Sequence, residues 1–132
     1  MTGPDSEKTP QPQDIPVSLF TRVKNKTTKL INNTDQIFSV EGQSRWFSFV
    51  FVEPIFTDYI TVEATGYDDW SSIDFVCEDV FGDEFKYRVK ATDGRFVIDI
   101  KHTLLSFKFK PPRKYFTRTR ILNVIVKGYT SE

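Results

Sequence analysis

Two stretches of the chain combine aromatic rings with charged groups closely enough to grip a ligand. Gly66-Tyr67-Asp68-Asp69-Trp70 sets two rings around two carboxylates. The apolar face of a ring packs on the C–H face of a sugar, and a carboxylate accepts hydrogen bonds from hydroxyls, so the mixture suits a carbohydrate. Pro111-Pro112-Arg113-Lys114-Tyr115-Phe116-Thr117-Arg118-Thr119-Arg120 holds four cations and two rings. That mixture suits phosphate, nucleic acid or an acidic protein. The ligand-contact candidates are therefore Tyr67, Asp68, Asp69, Trp70, Arg113, Lys114 and Tyr115, with Trp70 and Tyr115 as stacking platforms. The competing reading has Trp70 folded back to plug the end of the core and the basic stretch serving as a soluble connection.

Catalytic patterns fail in turn. A serine triad needs a positioned base, and His102 is the single histidine. Cys77 is the single cysteine; it falls in an apolar row, as an inert core thiol would, and forms no internal disulfide. No Gly-rich phosphate loop, zinc-ligand spacing or nucleophile elbow is present. Ten acidic residues with no Lys or Arg among them run from Glu53 to Glu84. Paired carboxylates could serve a glycosidase, or several oxygens could chelate calcium, but the EF-hand spacing is missing. A solvated acidic surface opposing basic strands explains the run more simply. No enzyme activity and no cofactor are expected; structural calcium is the one ion the acidic run would suit.

The elements that must position these groups are strands. Residues 1–14 bear Pro4, Pro10 and Pro12 among charges and have no periodicity, which reads as a disordered tail before one domain over 15–132. The polar start shows no secretory signal pattern, which favours the cytoplasm, and no run is apolar and long enough for a transmembrane helix. Strands are expected at 17–24, 36–41, 44–53, 57–65, 72–79, 84–91, 95–101, 104–110 and 120–127. Apolar and polar residues alternate along most of them, as in Ile73, Phe75, Cys77 against Asp74, Val76, Glu78. Gly66, Gly82 and Asp93-Gly94 suit hairpin turns, while Pro54 and Pro111-Pro112 suit strand ends. The fold class is all-β: an antiparallel, jelly-roll-like β-sandwich of about eight strands. Its expected core includes Phe47, Phe49, Phe51, Ile60, Val62, Phe75, Phe96, Ile98, Phe107 and Val124. Strand parity brings the 66–71 and 111–119 loops, Asp93-Gly94 and the start of the Trp46 strand to one end. Glu53, Phe81, Asp83, Glu84 and His102 fall at the other.

Trp46-Phe47-Ser48-Phe49, then Phe107-Lys108-Phe109-Lys110-Pro111, then a last strand closing on Ile125-Val126-Lys127-Gly128-Tyr129 resemble the galactose-binding-like jelly roll of discoidin-type and carbohydrate-binding modules. The resemblance implies a β-sandwich and a binding role. The two cysteines that tie the ends of discoidin domains are absent, and no ligand residue carries over.

Net charge is zero but unevenly distributed. Residues 1–85 hold six Lys/Arg and fifteen Asp/Glu, a balance of −9, and residues 86–132 hold twelve and three, a balance of +9. The acidic and basic strands either pair across the sheet, or Lys86, Arg88, Lys90, Lys108 and Lys110 gather on one face open to a polyanion. The resulting expectation is a non-catalytic module that binds carbohydrate through loops at one end. A protein-interaction or structural-assembly domain is the alternative, with nucleic acid or another polyanion ranking behind both.

Overall fold

The computed structural model describes residues 11–21, 31, 37–39, 46–65, 72–93, 95–110 and 119–130. The strands are β1 (Gln13–Asp14), β2 (Ile37–Ser39), β3 (Phe47–Thr65), β4 (Ser72–Asp79), β5 (Glu84–Lys90), β6 (Arg95–Lys110) and β7 (Thr119–Tyr129), and apolar residues alternate with polar ones along much of the longer ones. Among the described residues there is no α-helix. The strands form a single antiparallel sheet in the order β1-β7-β3-β6-β4-β5, with β2 also paired to β7.

Among the described residues, two pairs of expected strands are each one continuous strand. The segments at 44–53 and 57–65 merge into β3, and those at 95–101 and 104–110 merge into β6. Pro54 does not end its strand. It sits where Val50 pairs with Ser106 and Ile55 already pairs with Leu104, so β3 carries extra residues that need no ladder hydrogen bond to β6. A bulge is one of the few places a strand tolerates a residue without an N–H. A second irregularity lies between Thr57 and Tyr59, opposite Asp99 and His102. There Lys101 takes a left-handed φ of 53° and its ammonium bonds Asp58 at 3.3 Å.

These irregularities let the sheet double back, and the connections require it. A straight 16-residue β6 would hold its ends roughly 50 Å apart at about 3.3 Å per residue. Yet Lys90, paired with Ser72 close to the Lys110 end, is joined to Arg95 by five residue steps, a reach of at most about 18 Å. Both halves of the bent sheet accordingly face one core. Phe47, Phe49, Ile73, Phe75, Phe107 and Phe109 line one half, and Ile60, Val62, Phe96, Ile98, Val124 and Val126 the other. All ten residues expected in the core are buried.

The N-terminal segment differs from expectation in two places. Gln13 and Asp14, assigned to the tail, pair with Gly128 and Lys127, and the Ile15 N–H donates to Val126 O at 2.8 Å. Val17–Leu19, expected in a strand, is a 3-10 turn whose closing bonds run from Leu19 N to Pro16 O and from Phe20 N to Val17 O, both 3.0 Å. Phe20 then bridges to Phe51 beside β3 and buries its ring in the core. Residues 1–10 and 22–24 lie outside the described residues.

Candidate functional site

Strand parity that sends Phe47, Phe49, Phe107, Phe109, Phe75 and Cys77 inward must send their neighbours to the opposite face of β3, β6, β4 and β5. The register then sets three rows across that face. Lys110 lies opposite Asp74, which lies opposite Arg88. Ser48, Lys108, Val76 and Lys86 form the next row, and Val50, Ser106, Glu78 and Glu84 the third. Trp46, just before β3, stands at the Lys110 end, 39% exposed, with the Lys108 and Lys110 ammonium groups 4.8 and 5.0 Å from its ring centre. Both are cation–π distances.

These side chains enclose a groove of about 430 Å³. Trp46 and Lys108 form one wall and Lys86 and Arg88 another, while Asp74 and Glu84 supply acceptors. Val76, only 8% exposed although it points away from the core, is its apolar floor. An apolar floor with a few convergent polar groups is the usual composition of a small-ligand site, and the volume falls in the usual range. A smaller hollow of about 190 Å³ beside Ser48, Ser106 and Glu78 continues it along the face.

The charge halves behave in both ways the sequence allowed. Arg88 pairs with Asp74 at 3.1 Å, Arg95 with Glu63 at 3.5 Å and Lys101 with Asp58 at 3.3 Å, and Lys127 pairs with Asp14. Each bridge joins the acidic part of the chain to the basic part. Lys86, Arg88, Lys90, Lys108 and Lys110 nevertheless share one face. Among the described residues, Lys86, Lys90, Lys108 and Lys110 have no carboxylate at ion-pair distance.

A second cluster occupies the far end of β4. Asp79 is buried and holds the β4–β5 turn through its Oδ1, which accepts the Phe81 N–H at 2.8 Å and the Asp83 N–H at 2.9 Å. Gly82, at φ 84°, completes the turn. His102 Nε2 lies 3.2 Å from Asp79 Oδ2, and the imidazole meets the Phe85 ring edge-on at 5.0 Å. Burial alone would raise the Asp79 carboxyl; the two backbone N–H groups and His102 outweigh it and hold the carboxyl below its ordinary range. A His–Asp pair could serve as a base, but among the described residues no hydroxyl or thiol is hydrogen-bonded to His102. Cys77 is buried one layer inward, and desolvation pushes its thiol up to about 11, which suppresses the thiolate a nucleophile needs. The cluster is built to fix a turn, and its product is Phe81, held 83% exposed at the tip.

Among the described residues the acidic run is spread rather than gathered. Asp58, Glu63, Asp74 and Asp79 each face a basic partner on another strand, and among the described residues no three His, Cys, Asp or Glu side chains converge as metal ligands. Tyr67, Asp68, Asp69, Trp70, Arg113, Lys114 and Tyr115 all lie outside the described residues. The sequence reading missed Trp46 as a site residue. Its signal was its parity with Ser48 and Val50, opposite the Phe47-Phe49-Phe51 row, together with lysines that alternate with Phe107 and Phe109. Compared with known proteins, the chain matches no family model and no characterised protein at a significant level.

Proposed function

We propose that this chain is a non-catalytic carbohydrate-binding module, a β-sandwich of galactose-binding-like type whose ligand sits in the Trp46 groove. The observation that carries the reading is the composition of that groove: an accessible indole wall, the Val76 floor, and both hydrogen-bond donors and carboxylate acceptors around one hollow. A sugar offers the complement, with C–H faces for the ring and hydroxyls that both donate and accept. The sheet that doubles back around one core supports the sandwich reading.

The test is affinity for a panel of oligosaccharides with and without Trp46→Ala. Because Trp46 lies outside the core cluster, the variant should fold. Its affinity for the bound glycan is expected to fall at least ten-fold, the equivalent of about 1.4 kcal/mol. Full affinity in the folded variant would remove the groove from the account. Phe81 favours a second reading, in which the rigid β4–β5 turn docks into a pocket on a partner protein. Loss of partner capture on Phe81→Ser, with glycan affinity unchanged, would support that role.

A further inference from the structure

The groove's charge pattern specifies its ligand further. Three adjacent strands place Lys108, Val76 and Lys86 in one row. At about 4.8 Å between strands the two lysines stem from backbone positions roughly 10 Å apart, with an apolar residue between them where a counter-charge would have neutralised the pair. One row away the protein does supply that counter-charge, since Asp74 stands between Lys110 and Arg88 and bonds the guanidinium at 3.1 Å. The Lys108–Lys86 row thus sets two lysines on either side of Val76, both lining the groove, and Lys108 also lies against the Trp46 ring. Among the described residues neither lysine has a carboxylate at ion-pair distance.

The far edge limits what the anion can be attached to. Glu78 and Glu84 stand directly opposite one another beyond the lysine row. Like charges so placed oppose the fold and repel a continuous polyanion passing over them, as a nucleic acid would. The same carboxylates accept hydrogen bonds from hydroxyls. Positive in the middle, carboxylate-lined at one edge and aromatic at the other, the groove matches a ring that carries one acidic group and several hydroxyls.

We propose that the groove recognises an acidic saccharide, its carboxylate or sulfate held between Lys108 and Lys86 and its ring against Trp46. This inference rests on the carbohydrate reading and adds the charge of the sugar. The test measures binding of the full chain to a cello-oligosaccharide bearing one uronic acid, the same oligosaccharide bearing one sulfate, the neutral cello-oligosaccharide and a single-stranded DNA oligonucleotide, at 50 and 300 mM salt. Wild type is expected to prefer an acidic oligosaccharide over a neutral one at least ten-fold at low salt. The preference should shrink at 300 mM, because exposed charges are screened. Whichever acidic probe binds tighter identifies carboxylate or sulfate as the anion. In Lys86→Gln/Lys108→Gln, with an unchanged melting temperature, the affinity for the acidic probe should fall to that for the neutral one; Lys86→Arg/Lys108→Arg should restore the preference. Equal wild-type binding of acidic and neutral sugars would overturn this inference and leave the carbohydrate reading standing. A preference that survives the glutamine pair would also overturn it, by placing the anion elsewhere. Binding of DNA alone, or of no saccharide, would overturn both.

Discussion

Phe107→Ala should be among the most destabilising single substitutions in the chain, at about 3–5 kcal/mol. The ring is 1% exposed and stands where β3, β6 and β4 meet. It stacks on Phe49 at 4.7 Å and on Phe75 at 5.6 Å, both nearly parallel, and meets Phe20 edge-on at 6.3 Å. Truncation therefore removes one buried ring and also breaks the contacts that tie the N-terminal segment and three strands together. Aromatic pairs add about 0.5–1.5 kcal/mol each beyond area burial, which puts the cost toward the upper end of the range. Against a domain stability of about 5–15 kcal/mol, much of the folded population is at risk. Urea unfolding should show a lower midpoint with little change in slope. Phe81→Ala, at the exposed turn, is the internal control and should stay within about 0.5 kcal/mol. A Phe107→Ala midpoint close to wild type would mean the inward rows are misassigned.

Gly128→Ala should produce the second large loss, from a single methyl group. Gly128 lies opposite Thr57 at the edge of the second irregularity in β3. A Cβ there would collide with the Phe56 carbonyl oxygen and come within 3.2 Å of Thr57 Cα. Both obstacles are backbone, so no side chain can swing aside; β7 would have to lift from β3 or the irregularity would have to be rebuilt. Overpacking a fitted interior costs about 1–3 kcal/mol, and the unyielding neighbours place this substitution at the high end. The loss should appear as faster amide exchange across Lys127–Tyr129 and in β1, which pairs with the same stretch. Wild-type exchange and stability in Gly128→Ala would show that the close β3–β7 approach is wrong.

Much of the fold was legible because alternation is a strong signal where the two rows differ sharply. Ile73, Phe75 and Cys77 against Asp74 and Glu78, or Phe107 and Phe109 against Lys108 and Lys110, leave only one way to face the core. The strand count was harder because Pro54 ordinarily ends a strand; whether it does so or hides in a bulge depends on the partner strand's register. The second irregularity had no residue signature either, since a lysine occupies the left-handed position at 101 where glycine would have announced it. The candidate site was half legible. The rows Lys86-Arg88-Lys90 and Lys108-Lys110 could be read from spacing, but their gathering depends on β4 pairing with β6 rather than with β3, the strand before it. Trp46 was obscured because Val50 and Val52, in its outward row, are nearly as apolar as the phenylalanines opposite.

The most direct test of the account is to see which residues respond when the tightest-binding oligosaccharide of the panel is titrated into isotopically labelled protein. The expected result is a contiguous set of NMR shift changes at the Trp46 indole, Ser48, Val76, Lys86 and Lys108, with the Phe81 turn and the β7 face unmoved. Changes confined to the β4–β5 turn or to β7, with Trp46 and Val76 silent, would contradict the groove as the binding site.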